Sequence, residues 1–318
     1  MNDERPTWQL AGRAAGRSFV DVLLSHGVAL IGPGDAGPWS PERDDGEFEG
    51  GFVRRFAAEL QVGDVLILRS GASRISAVGL VASEYLHLDA FDDVVGLDLQ
   101  HARRVRWCEL PTDYDFGEPV FGPTPARFSR AQSAEVRDYV RRFLNSPPTY
   151  WQEAPLPALP EEEPSLEVNP PHLQDAIATA NDLHPLFQDR DRLGSPPSED
   201  EMVGHLVLPF LRALGWPPER IGVKWRYIDV CLFRSLPRSP ETCLWVIEAK
   251  RLGAGVENAL DQAKGYVQAL GEPRDIVVTD GVRYRMYAAE KDYAPVAYAN
   301  LVRLKRSATE LFSRLTRP

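Results

Sequence analysis

Three residues in the stretch WRYIDVCLFRSLPRSPETCLWVIEAK (225–250) have the types and spacing for phosphoryl chemistry: Asp229, Glu248 and Lys250. Two apolar runs of strand length flank a Pro/Ser/Arg turn, a pattern that predicts a β-hairpin. Asp229 lies between Ile228 and Val230 in the first run, and Glu248 and Lys250 close the second. Residues two apart on a strand project from the same face, so Glu248 and Lys250 share one. A carboxylate among β-branched and aromatic neighbours is costly without a compensating partner. The simplest partner is a divalent cation, Mg2+ or Mn2+, held by Asp229 and Glu248. Mg2+ takes oxygen ligands, and a bound metal polarises a phosphoryl oxygen and helps make hydroxide from water. Lys250 would orient that water or offset charge building on the phosphate. The plain alternative for the same residues is a pair of solvated strand ends.

These residues need elements to position them. SEDEMVGHLVLPFLRALGW (198–216) has apolar residues at helical spacing, with Ser198 as its N-cap. GVENALDQAKGYVQALG (255–271) predicts a second helix ending at Gly271, with Gln262 and Tyr266 four apart on one face. DIVVTDGVRYRMYA (275–288) predicts two strands around an Asp-Gly turn. The order is helix, strand, strand, helix, strand, strand. Together with Asp, turn, Glu-x-Lys, it resembles the PD-(D/E)XK nucleases, and most of all the N-terminal nuclease domain of type I restriction subunits. The Gln-x-x-x-Tyr element also occurs in RecB-like nucleases. The resemblance covers residues 199–287. It implies that Asp229 and Glu248 are metal ligands and Lys250 the catalytic lysine. An acidic residue on the first helix would complete the site, Glu201 by its spacing, with Glu199 as second choice. Gln262 and Tyr266 would brace the site or touch the DNA backbone, although an ordinary helix face packed on a sheet explains them too.

Composition frames this reading. A chain of 318 residues suggests two domains, and 43% hydrophobic with 26% charged residues is ordinary for globular proteins. No apolar run is long enough to span a membrane, and MNDERPTWQ is unlike a signal peptide. Cys108, Cys231 and Cys243 have no zinc-like spacing and an odd count, so they are expected to be buried thiols in a cytoplasmic protein. His172, His184 and His205 have no metal-ligand spacing either. There is no G-x-x-x-x-G-K-[ST] segment, hence no NTP-driven motor of its own. The formal net charge of -10 lacks the basic footprint usual for nucleic-acid binding. Much of that acidity is local, at 42–49 and 161–163, and the field that matters is that of a cleft.

The N-terminal domain is expected over residues 1–145, with strands at 28–32, 65–69 and 75–85, a helix at 52–61 and a long Gly/Pro/Asp loop between the first strand and that helix. The words VALIGPG, FVRRFAAELQVGDVLILRSG, ISAVGLVASEY and LQHARRVRW are similar to the PUA-like superfamily, including its EVE and McrB-type N-terminal members, over residues 27–110. In that superfamily an aromatic-lined pocket can receive a flipped, modified base. The candidate pocket residues are Trp39, Tyr85 and Trp107, with core packing the alternative for Trp107. Arg103, Arg104 and Arg106 are candidates for the DNA backbone, with a solvated strand face as the alternative.

Residues 146–171, rich in Pro and Glu, predict a semi-extended linker, preceded by a helix at 133–145 and followed by one at 172–187. The expected fold is a two-domain α/β and α+β protein. A PUA-like small β-barrel with helices would precede a PD-(D/E)XK restriction-endonuclease-like α/β core at 172–318. The expected function is a modification-dependent restriction endonuclease in antiviral defence. It would recognise a modified base, such as a modified cytosine, in double-stranded DNA and hydrolyse phosphodiesters with Mg2+. One nuclease site cuts one strand, so double-strand cleavage would imply a homodimer or repeated nicking. Two alternatives stand beside it: a non-cutting sensor of modified nucleic acid whose nuclease fold docks a partner, and a DNA-repair nuclease indifferent to modification.

Overall fold

The computed structural model describes residues 6–14, 17–34, 37–42, 51–121, 128–148, 151, 154–161 and 165–317. Residues 43–50, which hold nearly all of the acidic run at 42–49, and residues 35–36 of the Gly/Pro loop before it lie outside the described residues. The chain divides into two compact units, Met1–Glu161 and Glu162–Pro318. That boundary falls inside the expected linker.

The first unit is a mixed sheet with helices on both faces. Its strands are β1 (Thr7–Ala11), β2 (Val28–Ile31), β3 (Val65–Arg69), β4 (Arg74–Val81), β5 (Leu86–His87), β6 (His101–Asp115) and β7 (Phe128–Arg130). They run in the order β2-β6-β4-β3-β1-β7, with β5 also pairing β6. Only β1 and β3 are parallel. No pairing joins the path ends β2 and β7 among the described residues. The unbroken apolar run of β3 is buried at every position, as a strand covered on both faces must be. Val65 and Ile67 pack with Val136 and Val140 of a helix at Ala134–Asn145, whereas Leu66 and Leu68 pack with Leu23, Val53 and Phe56. Ser133 caps that helix by accepting from the Val136 N–H.

In the second unit, six strands follow in sequence order: β8 (Ile221–Trp225), β9 (Ile228–Phe233), β10 (Cys243–Ala249), β11 (Asp275–Thr279), β12 (Arg283–Ala288) and β13 (Ala294–Asn300). All neighbours are antiparallel except β10 and β11. A parallel pair needs a crossover, and the helix Leu260–Leu270 supplies it. This crossover helix, α1 below, packs Ala263 and Val267 against Cys231, Val246, Ile276 and Val278 on one face of the sheet. Its end is set by Gly271, whose φ of 87° suits a residue without Cβ. The opposite face packs on the helix Pro171–Gln188, the helical stretch 199–213 and the helix Ala308–Leu315.

Several features differ from expectation. Strand β8 precedes the hairpin, and β13 and the helix Ala308–Leu315 extend the unit at its C-terminal end. The helix stretches at 52–59 and 199–213 each widen into a π-helical turn, at Arg55–Glu59 and Val203–Val207. The Pro/Glu-rich segment is not a free tether. Trp151 is buried, Leu159 packs on the first unit's core, and Leu166 and Val168 pack on the second's. All three cysteines are buried free thiols. No described helix is long and apolar enough to cross a membrane.

Candidate active site

Antiparallel register carries the site. Val230 pairs with Ile247 and Cys231 with Val246, so one residue further the same register sets Asp229 across from Glu248. Side chains directly opposite share a face, and this is the face covered by α1. The β10 strand ends at Ala249, and the next N–H, that of Lys250, donates to Thr279 O at 2.8 Å and so fixes the departure point against β11.

Both carboxylates are buried, Asp229 at 5% and Glu248 at 1% exposure. Asp229 Oδ2 accepts from the Ala249 N–H at 2.8 Å, and Oδ1 accepts from Lys224 Nζ at 2.7 Å. Glu248 Oε1 accepts from Lys250 Nζ at 2.8 Å, while Oε2 is buried without a hydrogen-bond partner. Burial pushes the Glu248 carboxyl up to about 7, with the Asp229 charge adding to the rise and Lys250 opposing it. Burial works against the Lys250 charge, but the hydrogen bond and charge of Glu248 outweigh it and hold the ammonium above its ordinary range. The hydrogen bond that Lys224 donates to Asp229 likewise holds the Lys224 ammonium above its ordinary range.

The surrounding side chains form a continuous chain of contacts. Lys250 Nζ donates to Gln262 Oε1 at 2.9 Å, and Gln262 Nε2 donates to Tyr266 Oη at 2.9 Å. Helical i,i+4 spacing on α1 brings the last two together, so both positions expected from the Gln-x-x-x-Tyr element join the cluster through Lys250. Of the two first-helix acids, Glu199 lies 3.8 Å from Lys250 Nζ. Glu201 is turned elsewhere: its Oε2 accepts from the N–H and hydroxyl of Ser198, both at 2.8 Å, in a capping box. The Ser-x-x-Glu signature of that box stands in the sequence and marks Glu201 as the helix's own cap. Lys224 and Asp200 were not anticipated. Lys224 Nζ lies 2.9 Å from Asp200 Oδ1, bridging β8 to the start of the 199–213 helical stretch.

Among the described residues, no three His, Cys, Asp or Glu side chains converge into a metal-holding group. The donors on offer are the pair Asp229 and Glu248. That pair fits a hard divalent cation: both supply carboxylate oxygens, one of them buried and unpartnered, and both are already neutralised by ammonium groups. A cation would take over a charge-compensating role that Lys224 and Lys250 now share.

In the first unit, Trp39 and Tyr85 come together. Tyr85 Oη accepts from the Trp39 N–H at 3.0 Å and lies 2.7 Å from His101 Nδ1. His101 Nε2 is 2.8 Å from Pro33 O, which can only accept, so Nε2 carries a proton. Trp39 is half-buried against the core, and its Nε1 is buried without a partner. Trp107 stands apart from this group, six residues along β6 from His101, or about 20 Å. Its indole donates to Val28 O at 3.0 Å, and its ring lies so close over Gly79 that a Cβ there would come within 2.6 Å. It is part of the packing.

The arginine triplet divides three ways. Arg103 is fully buried and donates to the carbonyls of Phe56, Ala57, Leu60 and Ser83, so it bolts the π-helical turn to the sheet and does not face a phosphate. Arg104 donates to Gly27 O and Pro157 O. Arg106 is exposed.

Residues 12–119, about a third of the chain, match the model of a family described as a domain of unknown function (DUF8426). No curated protein sequence matches this chain. Among solved structures, the chain is similar to a fragment described as an HsdR subunit of a type I restriction enzyme from Vibrio vulnificus YJ016. The identity is 21% and the TM-score 0.25, over 37% of this chain and 25% of that one. The match thus spans a quarter of that relative's length.

Proposed function

We propose that this chain is a modification-dependent restriction endonuclease, with a phosphodiesterase centre in the second unit and a modified-base reader in the first. One observation carries the nuclease assignment: Asp229 and Glu248 are buried side by side on neighbouring strands, each with a lysine ammonium on one oxygen. Burying two like charges together is costly, and the cost has a use if the pair holds Mg2+. Bound there, Mg2+ would supply Lewis-acid polarisation of a phosphoryl oxygen and a more acidic water. Lys250 stabilises charge gathering on the phosphate oxygens. Gln262 holds the Lys250 ammonium in place, and Tyr266 orients Gln262. Water adds to phosphorus as the P–O bond to the leaving sugar oxygen breaks, and that oxygen leaves with a proton.

The reader assignment rests on the PUA-like resemblance together with the Trp39–Tyr85–His101 cluster and the unpartnered Trp39 indole N–H, a donor suited to a base edge. The substrate would be double-stranded DNA bearing a modified cytosine, cut in the cytoplasm in antiviral defence. Two chains, or two successive nicks, would complete a double-strand break.

A matched cleavage assay tests both halves. DNA carrying ordinary, 5-methyl, 5-hydroxymethyl or glucosylated cytosine is incubated with Mg2+ and wild type or Lys250→Ala. Cutting of one modified substrate, lost in the variant, is expected. Cutting of every substrate would remove the reader, and no cutting with no metal binding by calorimetry would remove the nuclease.

A further inference from the structure

The turn between β8 and β9 is built from residues ill suited to it. Trp225 pairs with Ile228, leaving Arg226 and Tyr227 as a two-residue loop. Both have positive φ, 51° and 68°, as a tight hairpin of this hand requires. Asn-Gly is the favoured sequence there, because a bulky side chain in the left-handed region is strained. Lys224, one position before the last pair, is left-handed too, at φ 50°. Strain of this kind, retained over several residues, marks a segment whose side chains matter more than its comfort.

Those side chains are presented outward. Tyr227 is 89% exposed, well beyond any other large hydrophobic side chain among the described residues. The tip beneath it is held firmly. Arg226 lies over the Trp225 ring at 4.9 Å, Trp225 packs edge-on against Phe233 at 5.0 Å, and Lys224 is tied to Asp200 and Asp229. A phenol ring thus stands in water on a held turn, two residues from Asp229 and next in the chain to Arg226.

We infer that Tyr227 stacks on an unpaired nucleobase next to the phosphodiester cleaved by the Asp229–Glu248–Lys250 centre, with Arg226 on the adjoining backbone. This deepens the nuclease reading and rests on it. The ligand class follows from the ring. Aromatic side chains bind bases through their faces without regard to sequence, and an intact duplex keeps those faces within its own stack. The tip therefore selects a single-stranded or locally opened strand at the cut position.

The test uses the full chain in Ca2+ with a short single-stranded oligonucleotide containing 2-aminopurine, and with the matching duplex. Wild type should bind the single strand more tightly and quench its fluorescence. Tyr227→Ala should weaken that binding about fivefold or more and abolish the quench, while Tyr227→Phe keeps both within about twofold. The pair Arg226→Asn, Tyr227→Gly installs the favoured turn and should melt at higher temperature yet bind as weakly as Tyr227→Ala. Unchanged binding by Tyr227→Ala, or equal quenching with the duplex, overturns the inference. Mn2+ calorimetry on the same proteins keeps the two readings apart. Absent metal binding counts against the nuclease centre, whereas ring-independent oligonucleotide affinity counts against Tyr227 alone.

Discussion

The Lys224 ammonium sits 2.7 Å from Asp229 Oδ1, the one oxygen of that carboxylate not engaged by the backbone N–H of Ala249. A lysine ammonium from a neighbouring strand thereby occupies the place that a metal ion held by this oxygen would take. A metal ion bound there would displace it, and the 2.9 Å contact with Asp200 would give it somewhere to remain.

Lys224→Met should therefore tighten Mn2+ binding about tenfold, the worth of roughly one charge-assisted hydrogen bond. The metal-free variant should melt lower, since Asp229 is left buried and unpaired. Calorimetry and thermal melts read the two effects. Equal or weaker Mn2+ affinity would show that Lys224 does not compete for Asp229.

Glu248 should give the metal-free protein a pH signature. Its carboxyl is raised from 4.5 to about 7 by burial, so the folded state keeps a proton that the unfolded chain has released. This contribution is fully present below pH 4.5 and is lost as pH rises through 7. Glu248→Gln, neutral throughout, should gain melting temperature relative to wild type as pH goes from about 5 to about 8. A constant difference across that range would contradict the assignment.

The two first-helix acids should separate cleanly. Glu199→Gln removes a charge 3.8 Å from Lys250 and should lower cleavage about tenfold with little change in stability. Glu201→Gln alters the Ser198 cap, and should lower the melting temperature slightly while leaving cleavage intact. The reverse pattern in paired kinetics and melts would return Glu201 to the site.

Arg103→Ala should destabilise the first unit by about 3 kcal/mol or more, because it strips a charged donor from several buried carbonyls. Denaturant unfolding would measure it. A loss of DNA affinity without a loss of stability would instead restore a phosphate-binding role.

Local pattern made much of the second unit legible. Apolar runs located the Asp229 and Glu248 strands, helical spacing put Gln262 and Tyr266 on one face, and Gly271 marked a helix end. What stayed hidden depends on backbone conformations or distant partners. Strand β8 was missed because its exposure does not alternate and Lys224 is left-handed, which also concealed the contact with Asp229. Arg103 looked like one charge in a basic run because its carbonyl acceptors on the π-helical turn lie more than forty residues earlier. In contrast, the role of Glu201 was readable, since Ser198-x-x-Glu201 is itself a cap signature.

The Pro/Glu-rich segment also fixes where the chain can be divided. Ending a first fragment at residue 145 would discard Trp151 and Leu159, both seated in that unit. Beginning a second at 172 would strip Leu166 and Val168 from theirs. The seam that leaves each half with its own covering lies between Glu161 and Leu166, so a swap of either half onto another partner should be spliced there.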